Sequence, residues 1–249
     1  MYKKAIVVGA TSGIGHEVAK ELLRKGWKVG AAGRRLPLLE EFKRENPSVE
    51  IQQIDITKDE ATDNLQQLID KLGGMDLYFH ASGIGFQNVN LEMSIELKTA
   101  ETNVVGFTRM VDFAFDYFRN NGGGHIAVIS SIAGTKGLGV APAYSATKRF
   151  QNTYLDALEQ LAHLQKLKIS FTDIRPGFVD TGLLSDGEKY PMLLRADKVA
   201  KSIVQAVENG KRRKVIDWRY ATLTFFWSLI PDCVWKRLPI KTRKKEGGE

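Results

Sequence analysis

Short apolar runs alternate with amphipathic stretches along most of this chain, and that alternation restricts the fold more than any other feature. The candidate strands are residues 4–8, 27–32, 49–54, 75–79, 125–130, 168–174 and 214–217. They are continuous apolar runs, the pattern of strands covered on both faces. Helical periodicity fills the intervals at 14–25, 36–45, 58–72, 95–119, 143–165 and 197–208. Strand alternating with helix predicts an α/β fold, one doubly wound domain whose seven-stranded parallel sheet carries helices on both faces. That domain is expected over residues 1–217, with 218–249 as a C-terminal extension. A chain of 249 residues has core enough to fold without staples. Its single cysteine, Cys233, rules out an intramolecular disulfide framework and a cysteine-rich zinc site.

The first strand runs into Gly9-Ala10-Thr11-Ser12-Gly13-Ile14-Gly15, and a helical pattern starts at once. A helix N-terminus offers unpaired N–H groups and the positive end of a dipole, which suits a pyrophosphate. The spacing is GxxxGxG and no Gly-Lys-Ser/Thr follows, which disfavours a P-loop NTPase. The plainer alternative is a tight strand-to-helix turn without a ligand. The second strand ends at Ala31-Ala32-Gly33-Arg34-Arg35, with no acid within reach. In dinucleotide folds an acid there holds the ribose 2′-OH of NAD, whereas arginine accommodates the 2′-phosphate of NADP. Arg34, with Arg35 beside it, is the candidate phosphate contact, or else the two are a solvated loop pair. Asp55, followed by Ile56, either bonds the adenine amino group or caps the next helix.

Tyr144-Ser145-Ala146-Thr147-Lys148 places a phenol and an ammonium one helical turn apart on one face. A tyrosine pKa of about 10 suits acid–base work poorly, and a neighbouring ammonium lowers it. Thirteen residues upstream of Tyr144, Ser131 follows a strongly apolar strand. Strand ends on that side of a parallel sheet face the ligand crevice. Ser131 is a candidate donor to a carbonyl oxygen, or a turn serine. Asn103 lies inside a helical stretch, where asparagine is locally unfavourable.

Taken together, these motifs resemble the short-chain dehydrogenase/reductase family, over nearly all of residues 3–210. The matching pieces are GATSGIG at 9–15, Asp55, Asn103, Ser131, YSATK at 144–148 and RPGFVDT at 175–181. The resemblance implies a Rossmann fold, NADP(H) as cofactor and a catalytic tetrad of Asn103, Ser131, Tyr144 and Lys148. It implies that Lys148 also bonds the nicotinamide ribose, and that Asn103 holds a water linking Lys148 to solvent. Ala81, Ser82, Gly83, Pro176, Gly177, Val179 and Thr181 would line the cofactor. The expected reaction is hydride transfer between nicotinamide and a small carbonyl or alcohol substrate, in a homodimer or homotetramer. The alternative is a non-catalytic NADP-binding regulator. A Ser/His hydrolase is disfavoured, because no Gly-x-Ser-x-Gly elbow occurs. One departure stands out. Where the family has Asn-x-Ala-Gly, this chain has His80-Ala81-Ser82-Gly83, read here as a buried histidine with one ring hydrogen bond replacing a sheet-holding asparagine.

Residues 182–194 are rich in Leu, Met and Tyr and carry two glycines, which fits either an apolar lid over the substrate or a loop burying its own leucines. The net charge is +7, and its location matters more than its size. Residues 1–210 hold 25 basic and 25 acidic side chains, whereas 211–249 hold 11 and 4. The excess is confined to the extension, which also has three of the four tryptophans. No nucleic-acid recognition motif accompanies it. Aromatic residues beside Lys and Arg fit a membrane surface, an oligomer contact or a cover over the cleft. The apolar run after Met1 is too short for a signal-peptide core.

 The expected location is therefore the cytoplasm, with residues 218–249 able to touch a membrane face.

Overall fold

The computed structural model describes residues 3–182 and 190–240. Seven parallel strands form one sheet: β1 (Lys4–Val8), β2 (Lys28–Gly33), β3 (Glu50–Gln53), β4 (Leu77–His80), β5 (Gly124–Ile129), β6 (Ile169–Arg175) and, after a short β7–β8 pair (Val179–Asp180 with Leu194–Arg195), β9 (Arg213–Val215). Their spatial order is β3-β2-β1-β4-β5-β6-β9. The order reverses between β1 and β4, where Val8 pairs with Ala32 on one side and His80 on the other. Ligands of open α/β sheets bind at such a switch point, outside the carboxyl ends of the strands.

The strand register sorts the core into two layers. Alternate residues of β1 point to opposite faces, so Ile6 and Val8 join one apolar cluster while Ala5 and Val7 join the other. The first layer is closed by α3 (Ala61–Leu72), α5 (Phe107–Asn120) and α6 (Pro142–Leu164). In α5, the buried residues Phe107, Met110, Val111, Ala114, Phe115 and Phe118 recur at spacings of three and one, a single helical stripe. The second layer is closed by α1 (Gly13–Arg24), α2 (Leu36–Glu45) and α7 (Ala196–Glu208).

Two helical stretches differ from their sequence pattern. The one expected from residue 58 starts at Ala61, because Asp55 accepts from both the N–H and the hydroxyl of Thr57 and folds 55–57 into a turn. The one expected over 95–119 is interrupted. It comprises α4 (Met93–Ala100), a π-helical turn (Glu101–Gly106) and then α5. A π-turn inserts one extra residue into the helical ladder, and such insertions often occur at functional sites. After β9 the chain forms α8 (Trp218–Leu229) and α9 (Asp232–Trp235). Trp235 donates to the Gly137 carbonyl at 2.7 Å, and Lys136 pairs with Asp232 at 2.6 Å, so these helices lie against the loop between β5 and α6.

Candidate active site

The turn after β1 is shaped for a ligand that needs close backbone approach. Gly9 has φ of +97°, and a Cβ there would come within 2.6 Å of the Ser82 nitrogen. Only glycine supports this conformation and contact without strain. The turn is thereby pressed against Ala81 and Ser82, just past β4. Ser12 stands at the start of α1 in extended conformation and gives no side-chain cap. The first turn of α1 contains no acidic residue, so its N-terminal positive end is not neutralised from within. Thr181 closes the far side, since a Cβ on Gly13 would lie 3.2 Å from its methyl group.

Of the two arginines after β2, it is Arg35 that reaches this turn. Its guanidinium donates to the hydroxyls of Thr11 at 2.9 Å and Ser12 at 2.6 Å. Arg34 is exposed, and its carbonyl accepts from Gln53. Asp55 uses one oxygen in the turn with Thr57, and Ile56 is buried with its carbonyl held by Arg109. Pro176 accepts from the Ile132 N–H, Gly177 packs against the Tyr220 ring, and Val179 is buried.

The residues singled out for catalysis converge past the ends of β4 and β5. Ser131 starts a short 3₁₀ turn (Ile132–Thr135), where its hydroxyl accepts from the Ala133 N–H at 3.1 Å. It also faces the Tyr144 hydroxyl closely enough to favour its phenolate. The two readings of this serine are therefore compatible: it shapes a turn and it faces Tyr144. Burial raises the Tyr144 pKa, and Ser131 opposes that shift. Lys148 is buried, and its Nζ lies 5.8 Å from the Tyr144 ring centroid. Burial pulls its pKa from the usual lysine value down to about 8, against the pull of the Asp173 carboxylate.

Asn103 occupies the π-turn with no exposed surface. Its side chain accepts from the Ile84 N–H at 2.9 Å and donates to the Ile84 carbonyl at 2.7 Å and to the Thr147 hydroxyl at 3.1 Å. It thus ties the segment after β4 to the first turns of α6. Its own carbonyl accepts from Gln151 at 3.0 Å. Gly83 sits over this group: a Cβ there would lie 3.3 Å from Asn103 Oδ1 and 3.6 Å from Lys148 Nζ.

Three contributors had not stood out in the sequence. Gly85 lets the post-β4 segment pass the Tyr144 ring, where a Cβ would come within 2.6 Å. Asp173 is fully buried below the site and accepts from Ser130, Asn152 and Arg175. Gln151 bridges Lys148 and the π-turn. None belongs to a recognisable motif, and only the tertiary fold brings them to the site.

His80 is wholly buried, and its Nδ1 bonds the Tyr78 hydroxyl at 2.8 Å. That partner lies two residues away on the same strand, so the ring does not tie neighbouring strands together. Burial, with the Lys148 charge added, lowers its pKa from 6.5 to about 3. The histidine is thus neutral in the folded state and takes up a proton more readily when unfolded. Its contribution to stability is present above pH 6.5 and is lost as pH falls toward 3. His80→Asn should therefore remove about 3 kcal/mol of the loss in unfolding free energy between pH 6.5 and 4. Urea titrations at a series of pH values read this directly, and parallel acid profiles for the two proteins would refute it.

On the substrate side, Phe178, Tyr190 and Tyr220 form an aromatic group. The Phe178 and Tyr190 rings are 4.6 Å apart, and Tyr220 bonds the Pro191 carbonyl at 2.8 Å. Most of the expected lid, residues 183–189, lies outside the described residues.

The sequence profile described as short chain dehydrogenase matches residues 3–190. An uncharacterized oxidoreductase of Myxococcus xanthus is 30% identical over 239 residues, covering 93% of this chain and 94% of that protein. Among solved structures, a short chain dehydrogenase from Burkholderia cenocepacia in complex with NADP superposes with a TM-score of 0.82 at 20% identity, covering 96% of this chain and 98% of that one. An alcohol dehydrogenase from the archaeon Thermococcus sibiricus, complexed with 5-hydroxy-NADP, gives a TM-score of 0.76 at 20% identity, covering 88% and 98%. At such identities the structural likeness speaks for the fold. The chain belongs to the short-chain dehydrogenase family, and it is an oxidoreductase by that membership.

Proposed function

We propose that this protein is an NADP(H)-dependent oxidoreductase that interconverts a carbonyl and an alcohol on a small molecule, with Tyr144 as general acid and base. The observation that carries this reading is the buried Lys148 ammonium 5.8 Å from the Tyr144 ring, with Ser131 facing the Tyr144 hydroxyl. When bound, NADP(H) supplies or accepts the hydride. In reduction, the Tyr144 hydroxyl gives its proton to the substrate oxygen while Ser131 donates to the same oxygen. The Lys148 ammonium stabilises the phenolate that remains. In oxidation, the Tyr144 phenolate takes the alcohol proton. The raised pKa of Tyr144 keeps it protonated near neutrality, which suits the reductive direction.

The cofactor would lie across Gly9, Thr11, Ser12, Gly13, Ile14 and Gly15, with Asp55 and Ile56 at its adenine end. Ala81, Ser82, Gly83, Pro176, Gly177, Val179 and Thr181 would flank the nicotinamide. Arg35 and Arg34 would meet the 2′-phosphate, Arg35 already standing on the turn. A charged hydrogen bond is worth ~1.5–3 kcal/mol, so Arg35→Ala should weaken NADPH binding about tenfold or more and leave NADH within about twofold. Fluorescence titration with both nucleotides checks this; equal losses for the two would remove Arg35 from the phosphate role.

Residues 1–217 form the catalytic unit in this reading, and 218–249 an extension. Exposed Met93, Leu97 and Val105 extend the apolar faces of the α4–α5 region, where a homodimer or homotetramer would form. Among the described residues no helix is long and apolar enough to cross a membrane. On α8, however, Trp218 is 75% exposed, Phe225 60% and Leu229 62%. This aromatic face beside a basic tail supports peripheral contact with an anionic membrane by a cytoplasmic enzyme. Co-sedimentation with anionic vesicles should retain the full chain and lose one in which Phe225, Phe226 and Leu229 are replaced by serine. Equal soluble fractions would refute the contact.

A further inference from the structure

Gln151 lies three residues after Lys148 on α6, with no exposed surface. A carboxamide buried this deeply is costly unless both ends are paired. Here both are. Its Oε1 accepts from Lys148 Nζ at 3.0 Å, and its Nε2 donates to the Asn103 carbonyl at 3.0 Å. The two ends are not interchangeable, because a flipped amide would set its NH₂ against the ammonium and its oxygen against the carbonyl. The far end of the bridge is anchored, since Asn103 is held by Ile84 and Thr147. Lys148 has a second acceptor in the Ile129 carbonyl at 3.1 Å.

We propose that Gln151 is a positioning residue of the active site, whose carboxamide holds the Lys148 ammonium in place and charged beside Tyr144 while filling the gap to the Asn103 carbonyl. This rests on the acid–base role given to Tyr144. A carboxamide neither gains nor loses a proton near neutrality, so this bridge passes no protons from Lys148 toward Asn103. The other ionisable groups around Lys148 are Asp173 with its partner Arg175 on β6, His80 on β4 and Tyr144 on α6 itself. Asp173 favours the ammonium through space, and His80 is neutral. Gln151 is the side chain that accepts a hydrogen bond from it.

Removing that acceptor destabilises the ammonium. The test is a titration of Lys148 by NMR of protein carrying 13C-labelled lysine ε-carbons, with the Lys148→Met protein as blank, so no substrate is needed. Gln151→Met should lower the Lys148 midpoint, about 8 in the parent, by about one pH unit. Gln151→Asn, whose shorter amide cannot span both partners, should move it in the same direction and carries the test if the methionine variant does not fold. An unmoved Lys148 midpoint in the Gln151 variants would overturn the proposal. Undiminished turnover in Tyr144→Phe would instead contradict the acid–base reading while leaving the titration interpretable.

Discussion

Tyr144→Phe is expected to lower kcat by ~10²–10⁴, the usual worth of a positioned acid–base group. The change removes one hydroxyl, the one that faces Ser131. The ring remains, so the contact with the Gly85 segment is kept. NADPH affinity should stay within about twofold, since the phosphate-binding turn lies elsewhere. A thermal midpoint close to the parent's would show that the loss is chemical. Steady-state rates with NADPH and a reducible carbonyl, measured beside nucleotide binding, separate these quantities. Retained turnover would remove Tyr144 from the acid role.

Lys148→Met should have the next largest effect, a fall in kcat of about 10²-fold or more. Methionine matches the length of the stem and is at ease in a buried site, so the helix should hold. It leaves Gln151 Oε1 and the Ile129 carbonyl without their donor, which costs stability, and it removes a buried charge, which offsets that cost. The pH dependence gives the sharper signature. In the parent, the ammonium is present below about pH 8 and lost above it. While present it favours the phenolate that forms as Tyr144 gives up its proton, so the parent's reduction rate should fall as pH rises through about 8, and the variant should lack that step. Initial rates with NADPH and a reducible carbonyl across the neutral-to-alkaline range would show this. The same step in the variant would mean that Lys148 does not act on Tyr144.

The inner strands β1, β2, β4, β5 and β6 were legible in the sequence because they are largely buried and read as apolar runs, whereas the edge strands β3 and β9 are only partly buried; all seven form the sheet. The pairing of Tyr144 with Lys148 was legible because four residues of α-helix set two side chains on one face. Other features were hidden for physical reasons. A π-turn leaves the apolar pattern on both sides almost intact, so the interruption at Glu101–Gly106 looked like continuous helix. At the end of β2, one residue decides which arginine turns toward Thr11 and Ser12, and Arg35 rather than Arg34 does so. The partners of Gln151 and Asp173 come from other elements, so their burial has no local signature.

The central claim is that this site carries out NADPH-dependent carbonyl chemistry through Tyr144. The most direct test is NADPH oxidation across steroid, sugar, acyl and small-ketone substrates, with NADH and the Tyr144→Phe protein run beside it. The account predicts NADPH consumption with at least one of these classes, weaker or absent with NADH, and abolished in the variant. Tight NADPH binding with no turnover across the panel would contradict it and favour a non-catalytic NADP-binding regulator.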